Sequence, residues 1–356
     1  MDIVADKARI AAYSEWTLAQ QKALWRQLAD QALARWGLGA PTLTWLGYGG
    51  NAVFKVQSDA GEYVLRLQPA WRVNFRQARS ELAWLKAIRQ MSDLRAPCPV
   101  AASAKNHAAL LVEVAHPQLP PPHSALACLF EFIHGASKPA ADLRCADLRA
   151  IGRYLARLHT RAQISPPAGF DRPRLAAQGL FGGGSPYAPQ RNDQILTTAQ
   201  QEVCQAVARA VETVWSQLHR QDAAFGLIHA DLLAKNILFT EAGIAALDFE
   251  YCGWGCYLYD LAPLLWQLKG EQPQNYAQLT ASLWAGYSAA LGDAPPSPDH
   301  LETLIAARQL ASCRWLLNNR DHPQIRQMAP ALLKGRIAEL RDFLACGELQ
   351  RRTATV

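Results

Sequence analysis

The stretch "LIHADLLAKNILF", residues 227–239, decides how the rest of the chain is read. Its flanks, Leu227-Ile228 and Ile237-Leu238-Phe239, are apolar and strand-like. Between them stand His229, Asp231, Lys235 and Asn236. Burying that many polar groups is costly unless each finds a partner. The cluster is therefore a turn or a reactive site. Downstream, "IAALDFE" (244–250) sets Asp248 at the end of a second apolar run, and "TEAG" (240–243) supplies a turn between the two runs. A hairpin across that turn brings Asn236 close to Asp248.

An amide oxygen and a carboxylate form a suitable ligand pair for Mg²⁺, a hard ion that keeps several waters and bridges phosphate oxygens. Asp231 would stand apart, facing an incoming hydroxyl. A base, two metal ligands and a phosphate cradle are the parts that phosphoryl transfer needs. The cradle is sought upstream, where "LGYGGNAVFKV" (46–56) reads as strand, glycine turn and strand. In the turn Gly49-Gly50-Asn51, the glycines would let backbone N–H groups approach phosphates. A plain hairpin turn explains them equally well. The segment lacks the Gly-Lys-Ser/Thr of a P-loop, and it is followed by a strand where a dinucleotide fingerprint needs a helix. Arg66, in "YVLRLQ", would point a cation at the phosphates, and Glu81 on the next helix would hold it. The plainer reading is a surface arginine and a solvated glutamate.

Farther out, the texture changes along the chain. Thr17 opens a helical pattern with Trp25, Leu28, Ala32 and Trp36 on one face, closed by Gly37. Strands are expected at 42–47, 52–57 and 62–68, with Asp59-Ala60-Gly61 turning the second hairpin. A helix is expected over 74–91, then strands in "PCPVAAS", "AALLVEVA" and "ALACLFEFIHG". Helices should follow at 142–160, 193–220, 274–291, 298–318 and 325–345, interrupted by a β-like island at 227–250 and a Gly/Pro-rich loop over 174–191. The fold class is α+β and bilobal: a small antiparallel sheet lobe, then a larger, mainly helical lobe. The expected divisions are a helical extension (1–38), a nucleotide-binding N-lobe (39–135) and a C-lobe with the catalytic and metal loops (136–356).

With 356 residues the chain exceeds one ordinary core. Its net charge of +6 is mild, and no dense Lys/Arg block suggests a nucleic-acid partner. The eight cysteines are scattered without a Cys-x-x-Cys pair, so neither zinc nor a disulfide framework is expected. No apolar run approaches the roughly 18 residues of a membrane span, and no signal peptide is visible. A soluble cytoplasmic protein is expected.

Taken together, these motifs resemble the aminoglycoside phosphotransferase and choline kinase superfamily, relatives of protein kinases. The usual catalytic loop there reads His-Gly-Asp-Leu-His-x-x-Asn, against "HADLLAKN" here. The usual metal segment is Ile-Asp-Phe or Ile-Asp-Trp, against "LDFEYCGWGCYLYDLA". Within the superfamily, "LIHADLL", "CGWGCYLYDLA" and "CRWLLNNRDHP" are most similar to bacterial stress-response kinases of the RdoA type, with homoserine kinase type II a close neighbour.

The resemblance implies an ATP- and Mg²⁺-dependent transfer of the γ-phosphoryl group to a hydroxyl. The acceptor would be a small molecule (amino alcohol, amino acid or sugar) or a protein Ser/Thr. The competing reading is a non-catalytic nucleotide-binding pseudokinase module. By position, Asp231 resembles the catalytic base, Asn236 and Asp248 the metal ligands, Arg66 the strand cation and Glu81 its partner. Glu131, Phe132 and Ile133 lie where a hinge would meet adenine. His229 resembles a brace of the loop, and Asp260 an aspartate capping loop amides. Two departures stand out: Leu233 replaces the customary His, and Lys235 replaces a frequent Gly. Lys235 either offers a cation to the phosphates or points to solvent. Glu250 is either an auxiliary metal group or a solvated loop residue. Arg308, Arg314 and Arg320 either form a basic wall suited to an anionic acceptor or make ordinary helix-face ion pairs. Trp254, Tyr257, Trp266, Trp284, Tyr287 and Trp315 would be needed for a choline-type cage, though core packing explains them as well.

Overall fold

The structure is a computed structural model that describes residues 12–91, 93–102, 109–176, 195–218, 225–291 and 297–355. Most of the expected loop at 174–191 lies outside the described residues. Helix α1 (Leu18–Leu33) starts where Thr17 and Gln20 exchange reciprocal bonds, Gln20 N–H to Thr17 Oγ1 and Thr17 N–H to Gln20 Oε1. Strands β1 (Thr42–Tyr48), β2 (Ala52–Ser58) and β3 (Gly61–Pro69) form two successive hairpins. Helix α2 (Phe75–Met91) follows, then β4 (Pro99–Val100), β5 (Val112–Ala115) and β6 (Ser124–Glu131). All pairings in this six-stranded sheet are antiparallel, in the order β1-β2-β3-β6-β4, with β5 also on β6.

The alternation of side chains across a strand explains how this sheet is packed on both faces. Ala125, Ala127 and Leu129 of β6 join Phe54, Val56, Leu65 and Leu67 under α1. Leu126, Cys128 and Phe130 face the other way, against Ala78, Leu82, Leu85 and Ile88 of α2, and that core runs on into the helical part. The run "ALACLF" is uniformly apolar because both of its faces are covered.

The helical part contains α3 (Cys145–Arg161), α4 (Thr198–Leu218), α5 (Ala262–Glu271), α6 (Tyr276–Leu291), α7 (Leu301–Asn318) and α8 (Pro323–Cys346). Two short antiparallel pairs interrupt it. Strand β7 (Phe225–Ile228) pairs with β10 (Gly253–Cys256), and β8 (Ile237–Thr240) pairs with β9 (Gly243–Ala246). Helix α5 and strand β10 are not among the elements expected from the sequence. Eight of the ten residues of α5 are buried, so it shows no polar face and no stripe to betray its period. Helices α3 and α6 cross at two glycines. A Cβ on Gly152 would sit 2.2 Å from the Leu283 carbonyl oxygen, and one on Gly286 would sit 2.1 Å from that of Arg149. The α+β, two-lobed arrangement is the one the sequence led to expect.

Candidate active site

The hairpin at 237–246 performs the juxtaposition expected of it. Ile237 pairs with Ala246, and Leu247 N–H donates to the Asn236 carbonyl at 2.8 Å. Asn236 and Asp248 therefore leave the hairpin side by side. The loop before it is fixed by two buried groups. Asp260 accepts the His229 N–H at 2.8 Å on one oxygen and the Ala230 N–H on the other. His229 accepts the Asp231 N–H at Nδ1 (3.2 Å) and donates from Nε2 to the Leu247 carbonyl (2.8 Å), tying the Asp231 loop to the Asp248 strand. Ala230 sits at φ 68, a left-handed conformation that glycine would take without penalty. Its N–H bond to Asp260 holds it there.

Asp231 is buried and meets two side chains. Asn236 Nδ2 donates to its carbonyl (2.8 Å) and approaches its Oδ2 (3.4 Å), and Arg308 Nη2 lies 2.6 Å from its Oδ1. Because the Asn236 nitrogen is committed to Asp231, its carbonyl oxygen is the atom left for a cation. Asp248 Oδ1 is buried and accepts no hydrogen bond, with only Arg66 Nη1 at 3.6 Å. Burial pushes the Asp248 carboxyl upward, Arg66 pulls it down, and the charge of Asp231 adds to the push. An orphaned carboxylate oxygen beside an amide oxygen fits a hard divalent ion such as Mg²⁺. Among the described residues no cage of three or more His, Cys, Asp or Glu exists. An ion here would need oxygens from elsewhere, as phosphates and water supply.

Arg66 and Glu81 form a buried, two-pronged pair, Nη1 to Oε1 at 2.9 Å and Nη2 to Oε2 at 2.8 Å, so neither is the solvated residue of the plainer reading. Glu250 is no solvated loop residue either. Its Oε2 accepts from Asn51 Nδ2 (2.6 Å) and Gln68 Nε2 (3.2 Å), joining the metal-side loop to the glycine turn. Burial, reinforced by Asp248, raises its carboxyl to about 8. Gly49 faces open space, whereas a Cβ on Gly50 would come within 3.3 Å of Asn319 Oδ1. At position 50 it is the helical lobe that crowds a side chain. Lys235 is exposed at the rim of a cavity it shares with Asp231 and Leu233.

At the expected hinge, the Glu131 N–H donates to Cys98 (3.0 Å) and the Phe132 N–H to Glu62 (3.1 Å). Those two amides are thereby committed within the chain. The six aromatics do not form one cage. Trp266 and Trp315 line the cavity beside Asp231, Trp254 and Tyr257 line a different one, and Trp284 and Tyr287 pack against each other at a 40° tilt.

Arg308, expected either in a basic wall or in a helix-face ion pair, pairs with Asp231 itself. The available signal was its spacing: Arg308, Ser312 and Trp315 share one face of α7, and all three line the Asp231 cavity. Arg172 gave no sequence signal. It donates to the carbonyls of Cys252 (2.6 Å), Gln77 (3.0 Å) and Glu250 (2.6 Å), pinning α2 to the Asp248 loop.

Residues 47–300 match the sequence pattern of a family described as the phosphotransferase enzyme family. The chain is 28% identical over 290 residues to the homoserine kinase of Gluconobacter oxydans (strain 621H), covering 80% of this chain and 82% of that one. Its fold is shared with a microcompartment-associated aminopropanol kinase (TM-score 0.73, 23% identity, 91% of this chain and 98% of that one). It is also shared with an amicoumacin kinase solved with AMP-PNP and Ca²⁺ (TM-score 0.69, 18% identity, 90% and 96%). These two structural likenesses establish the protein-kinase-like architecture. Among the described residues, no helix is long and apolar enough to cross a membrane.

Proposed function

The chain belongs to the phosphotransferase enzyme family, and from that premise we propose that it transfers the γ-phosphoryl group of ATP, with Mg²⁺, to the hydroxyl of a small molecule. The observation that carries this reading is the meeting of Asp231, Asn236 and Asp248 around one hairpin, with the Arg66–Glu81 pair beside Asp248. Relatives whose names specify homoserine and aminopropanol favour a small acceptor over a protein Ser/Thr.

In this reading Asp231 takes the proton of the acceptor hydroxyl as its oxygen bonds to the γ-phosphorus and the bond to the ADP oxygen breaks. Asn236 Nδ2 steadies Asp231, while the Asn236 side-chain oxygen, with Asp248, would hold the divalent ion. When bound, that ion would neutralise charge on the phosphate oxygens. Arg66, kept in line by Glu81, offers a second positive charge on the phosphate side. Glu131, Phe132 and Ile133 are assigned to the adenine edge, and Gly49, Gly50 and Asn51 to the phosphate side of the turn.

The test is Asp231→Asn. Positioned general-base groups contribute about 10²–10⁴ in rate, so kcat should fall by that range while ATP binding, read by calorimetry, persists. Full phosphorylation of the acceptor by this variant would refute the assignment.

A further inference from the structure

Beside Asp231 the cavity wall holds guanidinium groups that form no ion pair among the described residues. Three guanidinium groups surround the ring of Trp266: Arg308 at 5.4 Å, Arg336 at 5.3 Å and Arg351 at 3.7 Å from its centroid. Arg308 spends its ion pair on Asp231. Two more carboxylates act on these groups, Glu339 and Glu271: Glu339 accepts from the peptide N–H groups of Arg352 and Thr353 (2.6 Å each), the Thr353 hydroxyl (3.1 Å) and Gln309 Nε2 (2.8 Å), and Glu271 accepts from Gln267 Nε2 (2.9 Å).

Arg336 and Arg351 are left with neutral oxygens. Arg336 Nη2 donates to the Ala354 carbonyl (2.9 Å). Arg351 donates to the carbonyls of Trp266 (2.9 Å) and Thr353 (2.8 Å) and to the Thr355 hydroxyl (3.3 Å). The Nε of each is buried without an acceptor, and Arg336 is only 2% exposed. Burial, together with the charge of Arg308, pushes the Arg336 guanidinium downward. Arginine does not give up its proton in proteins, so the push registers a demand for negative charge. Arg308, Arg336, Trp266 and Asp231 line one cavity of about 40 Å³.

We propose that the acceptor carries an anionic group, a carboxylate or a phosphate, in addition to its hydroxyl, and that Arg336 and Arg308 seat that group against Trp266 while the hydroxyl faces Asp231. This rests on the phosphotransferase reading of the same site. Guanidinium forks can engage two oxygens of a planar carboxylate or of a tetrahedral phosphate. An anion on Arg308 also draws it from Asp231 Oδ1 and leaves that oxygen for the hydroxyl proton.

The test compares four short acceptors with the full chain, ATP and Mg²⁺: 4-hydroxybutyrate, its carboxamide, 4-amino-1-butanol and 3-hydroxypropyl phosphate. One of the two anions should exceed the amide and the amine by at least about tenfold in kcat/KM, and which of them leads distinguishes carboxylate from phosphate. In Arg336→Met that advantage should disappear, with the loss for the anions falling on KM more than on kcat. Arg336→Lys keeps the charge and should keep part of the preference; it replaces the Met variant if that variant does not fold. Calorimetric titration of the same compounds into the ADP–Mg²⁺ form reads the subsite without turnover. Anion-selective binding that Arg336→Met abolishes, with no acceptor phosphorylated, tells against the transferase reading alone. Equal binding of anion, amide and amine, or a preference unchanged by both Arg336 variants, overturns the anion subsite.

Discussion

At the scale of the residue, the buried pair of Arg66 and Glu81 decides what Asp248 can do. Breaking a buried pair typically costs about 3–5 kcal/mol, because a charge is left without its partner. In Glu81→Ala the released guanidinium has Asp248 as its nearest carboxylate, already 3.6 Å away. Stability to urea should fall by that amount, and the Mg²⁺ concentration for half-maximal rate should rise as Arg66 competes with the ion. A stability loss with an unchanged Mg²⁺ requirement would separate Arg66 from metal binding. Asp231, Asn236 and Asp248 were legible because one short hairpin brings them together, so local spacing suffices. Arg308 reaches Asp231 from 77 positions away on another helix, and no local pattern records such a meeting.

Among the helices, a wet face and a cap made an element legible, and their lack obscured one. Helix α1 has a stripe and a cap, and its start follows from Thr17. Helix α5 has neither a stripe nor a side-chain cap, and it vanished into an apolar run. The close crossing of α3 and α6 was likewise invisible, since Gly152 and Gly286 read as isolated glycines. Their backbones touch where any Cβ would collide with a carbonyl. Gly152→Ala should therefore destabilise by about 1–3 kcal/mol through overpacking, against the usual gain from replacing a helical glycine. Thermal melting should show a lowered transition with the far-ultraviolet dichroism unchanged. A raised melting temperature would mean that the helices part freely.

In the whole molecule, the sheet lobe is also attached to the helical lobe through the segment that follows α7. Arg72 donates to the Gly50 carbonyl (3.2 Å) and Asn319 Oδ1 (2.6 Å) and pairs with Asp321. Gln21 donates to the Asp321 carbonyl (2.9 Å), and Tyr48 packs on His322 with ring centroids 4.7 Å apart. These partners lie hundreds of residues apart, beyond what spacing reveals. His322 has no hydrogen-bond partner on either ring nitrogen, and burial, with repulsion from Arg72, lowers its pKa to about 4. The unfolded chain takes up that proton near the ordinary 6.5, so between the two values protons favour unfolding. This contribution, on the order of 2 kcal/mol, is present above pH 6.5 and lost as pH falls toward 4. His322→Phe should flatten that part of the profile when denaturation midpoints at pH 7 and pH 4.5 are compared. An equal acid loss in the variant would place its origin elsewhere.

Helix α7 bears Arg308 within its length and leads directly into Asn319, so a single stiff rod rests one shoulder on the acceptor's seat and the other on the glycine turn. Eleven residues of helix span about 16 Å. Leverage applied at either shoulder is felt at the opposite one. The two substrates should thus tighten each other's hold, and the dissociation constant for nucleotide should drop when the acceptor is already aboard.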